Sequence, residues 1–173
     1  GEYGQFSEPA KKFTTVLNQL ELRVNAQNLN AISNSLYYLF WSMEDLNSIQ
    51  QDIWDGYEAF NNTDYLTAHS HFSAAEASLD SAMPKMWNAS YYINQTETGG
   101  MIQLELQSTR ASIATIYFGL VHIQEDVNYI TTIADGGAPS GPEITEVGNR
   151  ITNIFATLAD VNTQLLSINV QPG

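Results

Sequence analysis

The sequence predicts an all-α protein: an antiparallel up-down-up-down four-helix bundle with an additional N-terminal helical segment. Apolar residues recur at alternating intervals of three and four through four successive segments, a pattern typical of helices packed at shallow angles. Glycine and proline are absent between Pro9 and Gly56, and they cluster at 99–100 and 136–142. The chain is long enough for one well-packed core, so we expect a single domain over residues 1–173.

Each of the four segments carries one apolar stripe. The stripes run from Leu29 to Phe60, from Tyr65 to Ile93, from Ile102 to Ile130, and from Ile144 to Ile168. They predict bundle helices at about 29–60, 63–94, 101–134 and 142–168. Helices of similar length joined by short connections favour antiparallel neighbours.

Residues with known roles at helix ends support these boundaries. Ser140 and Glu143 have the spacing of a capping box, and Pro142 lies in the first turn. Pro84 falls on the outer face of the second stripe, which stays in phase across it. We therefore expect a kink at this proline and not the end of the helix.

The N-terminal segment, residues 8–28, is predicted to be helical with a separate apolar stripe. The stripe consists of Phe13, Leu17, Leu20 and Val24. It is out of phase with Leu29, so the segment either continues straight from the first bundle helix or kinks away from it. The stripe then needs a cover: a membrane-proximal neighbour, another subunit, or the bundle itself after a fold-back. If the cover is another copy, replacing Leu17 and Leu20 with Asp should abolish self-association.

The charge balance excludes several classes of partner. Nineteen acidic residues against six basic ones give a net charge of −13, which repels nucleic acid and anionic membrane surfaces. The chain has no apolar run of the length that spans a bilayer, so we expect no membrane insertion. Amide and hydroxyl residues outnumber charged ones about two to one. This balance is more common among secreted and cell-surface proteins, and it predicts an extracellular location.

The sequence offers little catalytic chemistry. No Glu, Asp or His lies on a bundle stripe, whereas a di-iron site in a helix bundle needs inward carboxylates and Glu-x-x-His pairs. Cysteine is absent, and no phosphate-binding loop or nucleophile motif occurs. We therefore expect a non-catalytic protein without a metal or another cofactor.

Aromatic residues that fall outside the stripes predict an exposed interaction surface. Tyr38, Trp41 and Tyr91 are of this kind. Exposed aromatic rings hold cationic or sugar ligands in some proteins and form subunit contacts in others. Together with the N-terminal stripe they define the predicted interaction surface: Phe13, Leu17, Leu20, Val24, Tyr38 and Trp41.

Three sequons make the protein a candidate glycoprotein, with N-glycosylation predicted at Asn61, Asn88 and Asn94. Their number is about what chance alone gives in a chain so rich in Asn, Ser and Thr. Their positions near predicted helix ends are accessible to modification.

These observations favour a structural or interaction role at the cell exterior. The expected partner is a second copy of the chain, bound through the N-terminal helix, or another surface protein. The alternative is an extracytoplasmic sensing domain of a receptor, in which a helix bundle reports the binding of a small molecule. In that case the chain would be a fragment of a larger protein.

Overall fold

The computed structural model describes residues 5–23, 26–96 and 102–168, and the regular structure of these ranges is entirely helical. Side chains are described for 5–17, 30–96 and 106–168. The helices are α1 (Ser7–Arg23), α2 (Ala26–Asn61), α3 (Tyr65–Asn94), α4 (Ile102–Gly136) and α5 (Gly141–Ser167). The predicted bundle of four long helices is confirmed, with boundaries within three residues of the expected ones. Residue 101, the expected start of the third bundle helix, lies outside the described residues.

Consecutive bundle helices pack side by side and run antiparallel. Lys85 of α3 pairs with Asp45 of α2, while Tyr65 at the start of α3 meets Phe60 at the end of α2. Arg150 of α5 reaches Asp126 of α4. The bundle closes between α2 and α5, where the rings of Trp54 and Phe155 meet edge-on with their centroids 5.9 Å apart.

The core follows the predicted stripes with one exception. The stripe residues with described side chains are buried, apart from the half-buried Tyr57 and Tyr65 and the exposed Ile144. Ile144 was predicted to be a core residue and is 45% exposed. It lies in the first turn of α5, at the end of the bundle, where no layer of core side chains continues beyond it. The side chains of Leu29 and Ile102 lie outside the described residues.

The capping box predicted at Ser140 forms, and the second bundle helix continues past Pro84 as predicted; the kink expected at this proline stays a prediction. The backbone N–H of Ser140 donates to the Glu143 carboxylate at 3.0 Å, and the Glu143 N–H donates to Ser140 Oγ at 3.3 Å. These hydrogen bonds, the one from the Ser140 backbone foremost, hold the pKa of Glu143 below its ordinary value. Helix α3 runs through Pro84 without ending.

A row of small residues brings α2 and α3 unusually close. Ala68, Ala75, Ala82 and Ala89 recur every seven residues on α3 and are fully buried. On α2, Ser35 Oγ donates to the Ala89 carbonyl at 2.6 Å, and Gly56 lies against the ring of Phe72. A Cβ atom at Gly56 would stand 2.5 Å from that ring. The two backbones therefore approach to a distance that larger side chains would prevent.

Helix α1 folds back and packs against α2 and α5. Phe6 and Phe13 are completely buried, and Val16 is nearly so. Lys12 Nζ donates to the carbonyl of Leu166 near the end of α5, and burial lowers the pKa of this amine. Of the covers considered for the N-terminal stripe, the structure thus shows the bundle itself. Helix α1 does not continue straight from α2; Val24 and Asn25, between the two helices, lie outside the described residues.

Candidate interaction surface

Six aromatic rings from α2 and α3 form one connected surface, which we call the aromatic face. Helix α2 contributes Tyr37, Tyr38 and Trp41, and helix α3 contributes Trp87, Tyr91 and Tyr92. Spacings of three and four residues place rings of the same helix beside one another. Tyr37 lies 5.7 Å from Trp41 between centroids, and Trp87 stacks on Tyr91 at 5.6 Å.

Within the aromatic face, a stacked pair of rings joins α2 to α3. Tyr38 and Tyr92 stack at 5.8 Å with an interplanar angle of 10°. Tyr92 also meets Tyr91 edge-on at 5.4 Å, and Tyr38 lies 6.1 Å from Trp41. The contacts therefore form an unbroken chain from Trp87 to Trp41. Such mutual stacking fixes the orientation of each ring.

A charged pair anchors the α2 end of the aromatic face. Lys85 Nζ lies 4.8 Å from the centre of the Trp41 ring and donates to Asp45 Oδ2 at 2.7 Å. Both charged side chains are more than four-fifths buried. Lys85 therefore holds the Trp41 ring through a cation–π contact, and Asp45 balances the charge of the lysine.

The aromatic face is exposed to solvent over a large part of its rings. Trp41 is 47% exposed, Trp87 56%, and Tyr37 and Tyr91 about half. Connected exposed rings mark an interaction site more often than a scattered exposed ring does. Tyr38 and Tyr92 lie deeper and connect the exposed rings.

The aromatic face is also the least charged part of an acidic molecule. Residues 24–43 form the longest stretch of the chain without Asp, Glu, Lys or Arg, and residues 86–96 opposite them carry none either. Amide and hydroxyl groups surround the rings, among them Asn88, Ser90 and Asn94. The nearby Asp45–Lys85 pair is neutral as a unit. A partner of this surface therefore meets rings and uncharged hydrogen-bonding groups.

A groove between α1 and α2 opens beside Trp41. It has a volume of about 470 Å³. Its lining combines apolar and polar side chains: Phe6, Ser7, Ala10, Phe40, Trp41, Met43, Glu44, Asn47, Ser48 and Gln51. Asn47 Oδ1 is a buried acceptor that finds no donor within the described protein. Trp41 thus belongs both to the aromatic face and to the wall of this groove.

The structure separates the two parts of the predicted interaction surface. Tyr38 and Trp41 both belong to the aromatic face. Phe13 is fully buried and Leu17 packs against the core, so the prediction that these two residues form an exposed surface needs correction. They are covered because α1 folds back into the space beside α5. The side chains of Leu20 and Val24 lie outside the described residues.

Sequence reasoning missed Tyr37, Trp87 and Tyr92 as members of the aromatic face. The signal was present: Tyr37 and Tyr92 lie at nearly equal distances along the chain from the Asn61–Asp64 joint, and so do Trp41 and Trp87. An antiparallel hairpin of helices brings such positions side by side.

The predicted glycosylation sites differ in accessibility. Asn61 and Asn94 are exposed, and Asn88 is half-buried beside Trp87. The Thr96 hydroxyl of the Asn94 sequon is buried, donates to the Ile93 carbonyl at 2.6 Å and accepts from Arg110. In the folded protein this hydroxyl is therefore engaged in ending α3.

A second cleft of similar volume lies where α2 ends. It has a volume of about 440 Å³ and is lined by Trp54, Tyr57, Glu58, Asn61 and Asn62. Two aromatic rings beside one carboxylate are a combination that suits a small organic cation.

Histidine–carboxylate pairs tie α3 to its neighbours without forming a metal centre. His71 Nδ1 lies 3.4 Å from Asp52 of α2, and His69 Nε2 lies 3.6 Å from Asp135 of α4. Within 5–23, 26–96 and 102–168, His, Asp and Glu nowhere gather in threes as a metal ion would require. No helix in these ranges has the length and apolar character needed to cross a bilayer.

Comparison with known proteins returned no match: no family model, no curated protein and no solved structure resembles this chain.

Proposed function

We propose that this protein is a non-catalytic interaction protein of the cell exterior that holds its partner through the aromatic face. The observation that carries the proposal is the connected set of six rings on α2 and α3, four of which are about half exposed. Tyrosine and tryptophan are the residues that most often dominate binding energy at protein surfaces. The small share of charged residues and the high amide content of the chain favour the exterior location.

The packing of α1 changes where the interaction is expected. An exposed apolar stripe on α1 would favour assembly of copies through that helix, but Phe13 lies inside the protein's own core. Self-assembly through α1 would require this helix to leave its packing position against α2 and α5. The aromatic face needs no such rearrangement, so it is the better supported contact surface.

Cell-binding measurements test the proposed function. Fluorescently labelled protein is applied to intact cells of its source, and the amount bound is measured against concentration. The Trp41→Ala/Tyr91→Ala double variant is expected to bind roughly tenfold more weakly or worse, because one exposed ring is lost from each helix of the aromatic face. Biotinylation of intact cells checks in parallel that the native protein is accessible from outside.

The matched control is the Leu66→Ala/Phe118→Ala double variant. Both side chains are large, apolar and more exposed than those of the test variant, but neither belongs to the aromatic face. Its binding should equal that of the unmodified protein. Equal losses in both double variants, or no loss in the first, would show that the aromatic face is not the contact surface.

A second candidate function, ligand sensing, is favoured by the cleft at the end of α2. Choline is a suitable probe, because its quaternary ammonium fits Trp54 and Tyr57 with Glu58 as a counter-charge. If the cleft is a sensing site, choline should raise the melting temperature in a concentration-dependent manner. The Glu58→Gln variant should abolish the rise. An unchanged melting temperature up to millimolar choline would count against a cation site in this cleft.

A further inference from the structure

We propose that the ligand of the aromatic face is a neutral polysaccharide of the cell exterior, which lies across Trp41 and enters the groove between α1 and α2. This inference rests on the proposed function and names the chemical class of its partner. It is carried by three observations: the ring platform, the groove that continues from it, and the pairing of Lys85, the lysine beside the platform, with Asp45.

The platform presents the chemistry that sugars require. A pyranose ring has an apolar C–H face and a rim of hydroxyl groups, so it stacks on an aromatic ring and hydrogen-bonds at its edge. Trp41 and Tyr91 offer exposed ring surface for the first contact. The side chains of Asn88, Ser90 and Asn94 provide uncharged donors and acceptors for the second.

The groove extends the platform into a site of ligand size. Its volume of about 470 Å³ falls within the range of roughly 300–1,000 Å³ that is usual for ligand pockets. Phe40 and Trp41 form its aromatic wall, while Asn47, Ser48 and Gln51 line its polar side. Asn47 lines the groove, and its Oδ1 is closed off from solvent without a donor in the described protein. A sugar hydroxyl would satisfy this acceptor after the amide turns towards the groove.

Charge selects neutral sugars over acidic ones. The protein carries a net charge of −13, which repels uronic, sialic or sulfated chains. The lysine nearest the platform, Lys85, is buried and already paired with Asp45 at 2.7 Å, so it offers no free cation to an acidic group. Among the described residues that line the groove, Glu44 alone is charged; its carboxylate is a further acceptor for hydroxyl groups and repels anions.

The platform is ordered before any ligand arrives. Trp41 is held by Lys85 from one side and by Tyr37 and Tyr38 from the others. Fixing these side chains in advance reduces the entropy lost when a ligand binds.

Fluorine NMR of protein labelled with 5-fluorotryptophan tests the inference directly. The chain has three tryptophans, so the spectrum has three resonances, which single Trp→Phe variants assign. The probes are the neutral hexasaccharides of glucose, mannose and N-acetylglucosamine, with a sulfated hexasaccharide as the charged comparison. We expect at least one neutral probe to shift the Trp41 resonance saturably while that of Trp54 stays in place. The sulfated probe should cause no shift.

Two variants define the expected site. Trp41→Ala should weaken binding of the active probe roughly tenfold or more, because the stacked ring is lost. Asn47→Ala should weaken it severalfold, whereas Phe118→Ala should leave it unchanged. The inference is overturned if no neutral probe shifts Trp41, if Trp54 responds instead, or if Trp41→Ala binds as well as the unmodified protein.

Periodate treatment of the target cells separates failure of this inference from failure of the proposed function. Periodate cleaves vicinal diols of sugars, and protease treatment of a second sample of cells covers polysaccharides without internal vicinal diols, such as 1,4-linked N-acetylglucosamine chains. The cell binding that depends on Trp41 and Tyr91 should survive protease, and periodate should remove it where the sugar chain carries such diols. If the binding depends on these rings, survives periodate and is lost after protease, the partner is a protein: the proposed function stands and the sugar inference fails. If the binding does not depend on these rings at all, the proposed function fails as well.

Discussion

Gly56→Ala is expected to lower the free energy of unfolding by about 1–2 kcal/mol, although alanine is intrinsically the better helix former by about 1 kcal/mol. The added Cβ would stand 2.5 and 2.6 Å from two carbons of the Phe72 ring and 3.2 Å from the Cβ of His71. Phe72 is completely buried, so its ring cannot move aside without disturbing its own neighbours. Overpacking should therefore outweigh the gain in helix propensity. Urea unfolding followed by circular dichroism gives the difference.

Gly148→Ala is the matched control, and the expected sign is opposite. Gly148 also lies inside a helix, but the nearest atom to an added Cβ is Tyr57 Oη, at an ordinary contact distance of 3.5 Å. This variant should be more stable by about 0.5–1 kcal/mol, since alanine lowers the entropy cost of helix formation.

A double-mutant cycle identifies Phe72 as the cause of the cost. In the Phe72→Leu background the smaller side chain leaves room, so Gly56→Ala should lose most of its penalty. If Gly56→Ala proves as stabilising as Gly148→Ala, the close approach of α2 and α3 described above is wrong.

Phe13→Asp is expected to release α1 from the bundle while α2 to α5 stay folded. Burial of an unpaired carboxylate costs several kcal/mol, and loss of the phenylalanine ring typically costs about 3–5 kcal/mol. Detachment of one 17-residue helix avoids both penalties without dismantling the main core. The backbone amides of α1 should therefore lose their protection against hydrogen exchange, and those of α3 should keep it. Phe118→Asp, at a side chain that is 63% exposed, should change protection in neither helix.

The association state of the same variants tests the role of α1. Release of α1 exposes its apolar stripe together with the part of α2 around Met43, so Phe13→Asp should form species heavier than the 19.2 kDa monomer in light scattering. The unmodified protein should remain a monomer, because Phe13 and Leu17 of its stripe pack inside the protein. A monomeric variant with α1 still protected would contradict the observed packing of this helix.

Much of the fold could be predicted from the sequence, because heptad periodicity depends only on the spacing of apolar residues. The stripe of α2 predicts the buried face of this helix correctly even at a polar residue: Gln50 lies on the stripe and is only 5% exposed. Periodicity does not show at which residue a helix extends past its neighbours. The prediction that Ile144 is a core residue was wrong for that reason. Periodicity also gave no sign that Ser35 and Ser42 are buried, since this follows from the alanine row of the opposite helix.

The candidate site was harder to predict because it depends on contacts between distant segments. Tyr38 and Trp41 stood out as aromatic residues off the stripe, but their partners Tyr92 and Lys85 follow only from the pairing of α2 with α3. The placement of α1 depends on a competition between covers, which apolar spacing does not decide. The groove beside Trp41 could therefore be found only in the folded structure.

The tight seam between α2 and α3 also limits what binding at the aromatic face can cause. Helix bundles that transmit a signal do so by sliding or rotating one helix against another, often by only 1–2 Å. The contact of Gly56 with Phe72 and the buried alanine row leave no free space for such a movement. The stack of Tyr38 on Tyr92 would also break if the helices shifted. Binding of a partner at the aromatic face would therefore leave the relative positions of α2 and α3 unchanged. Such a surface suits mechanical attachment better than the transmission of a signal along the helices.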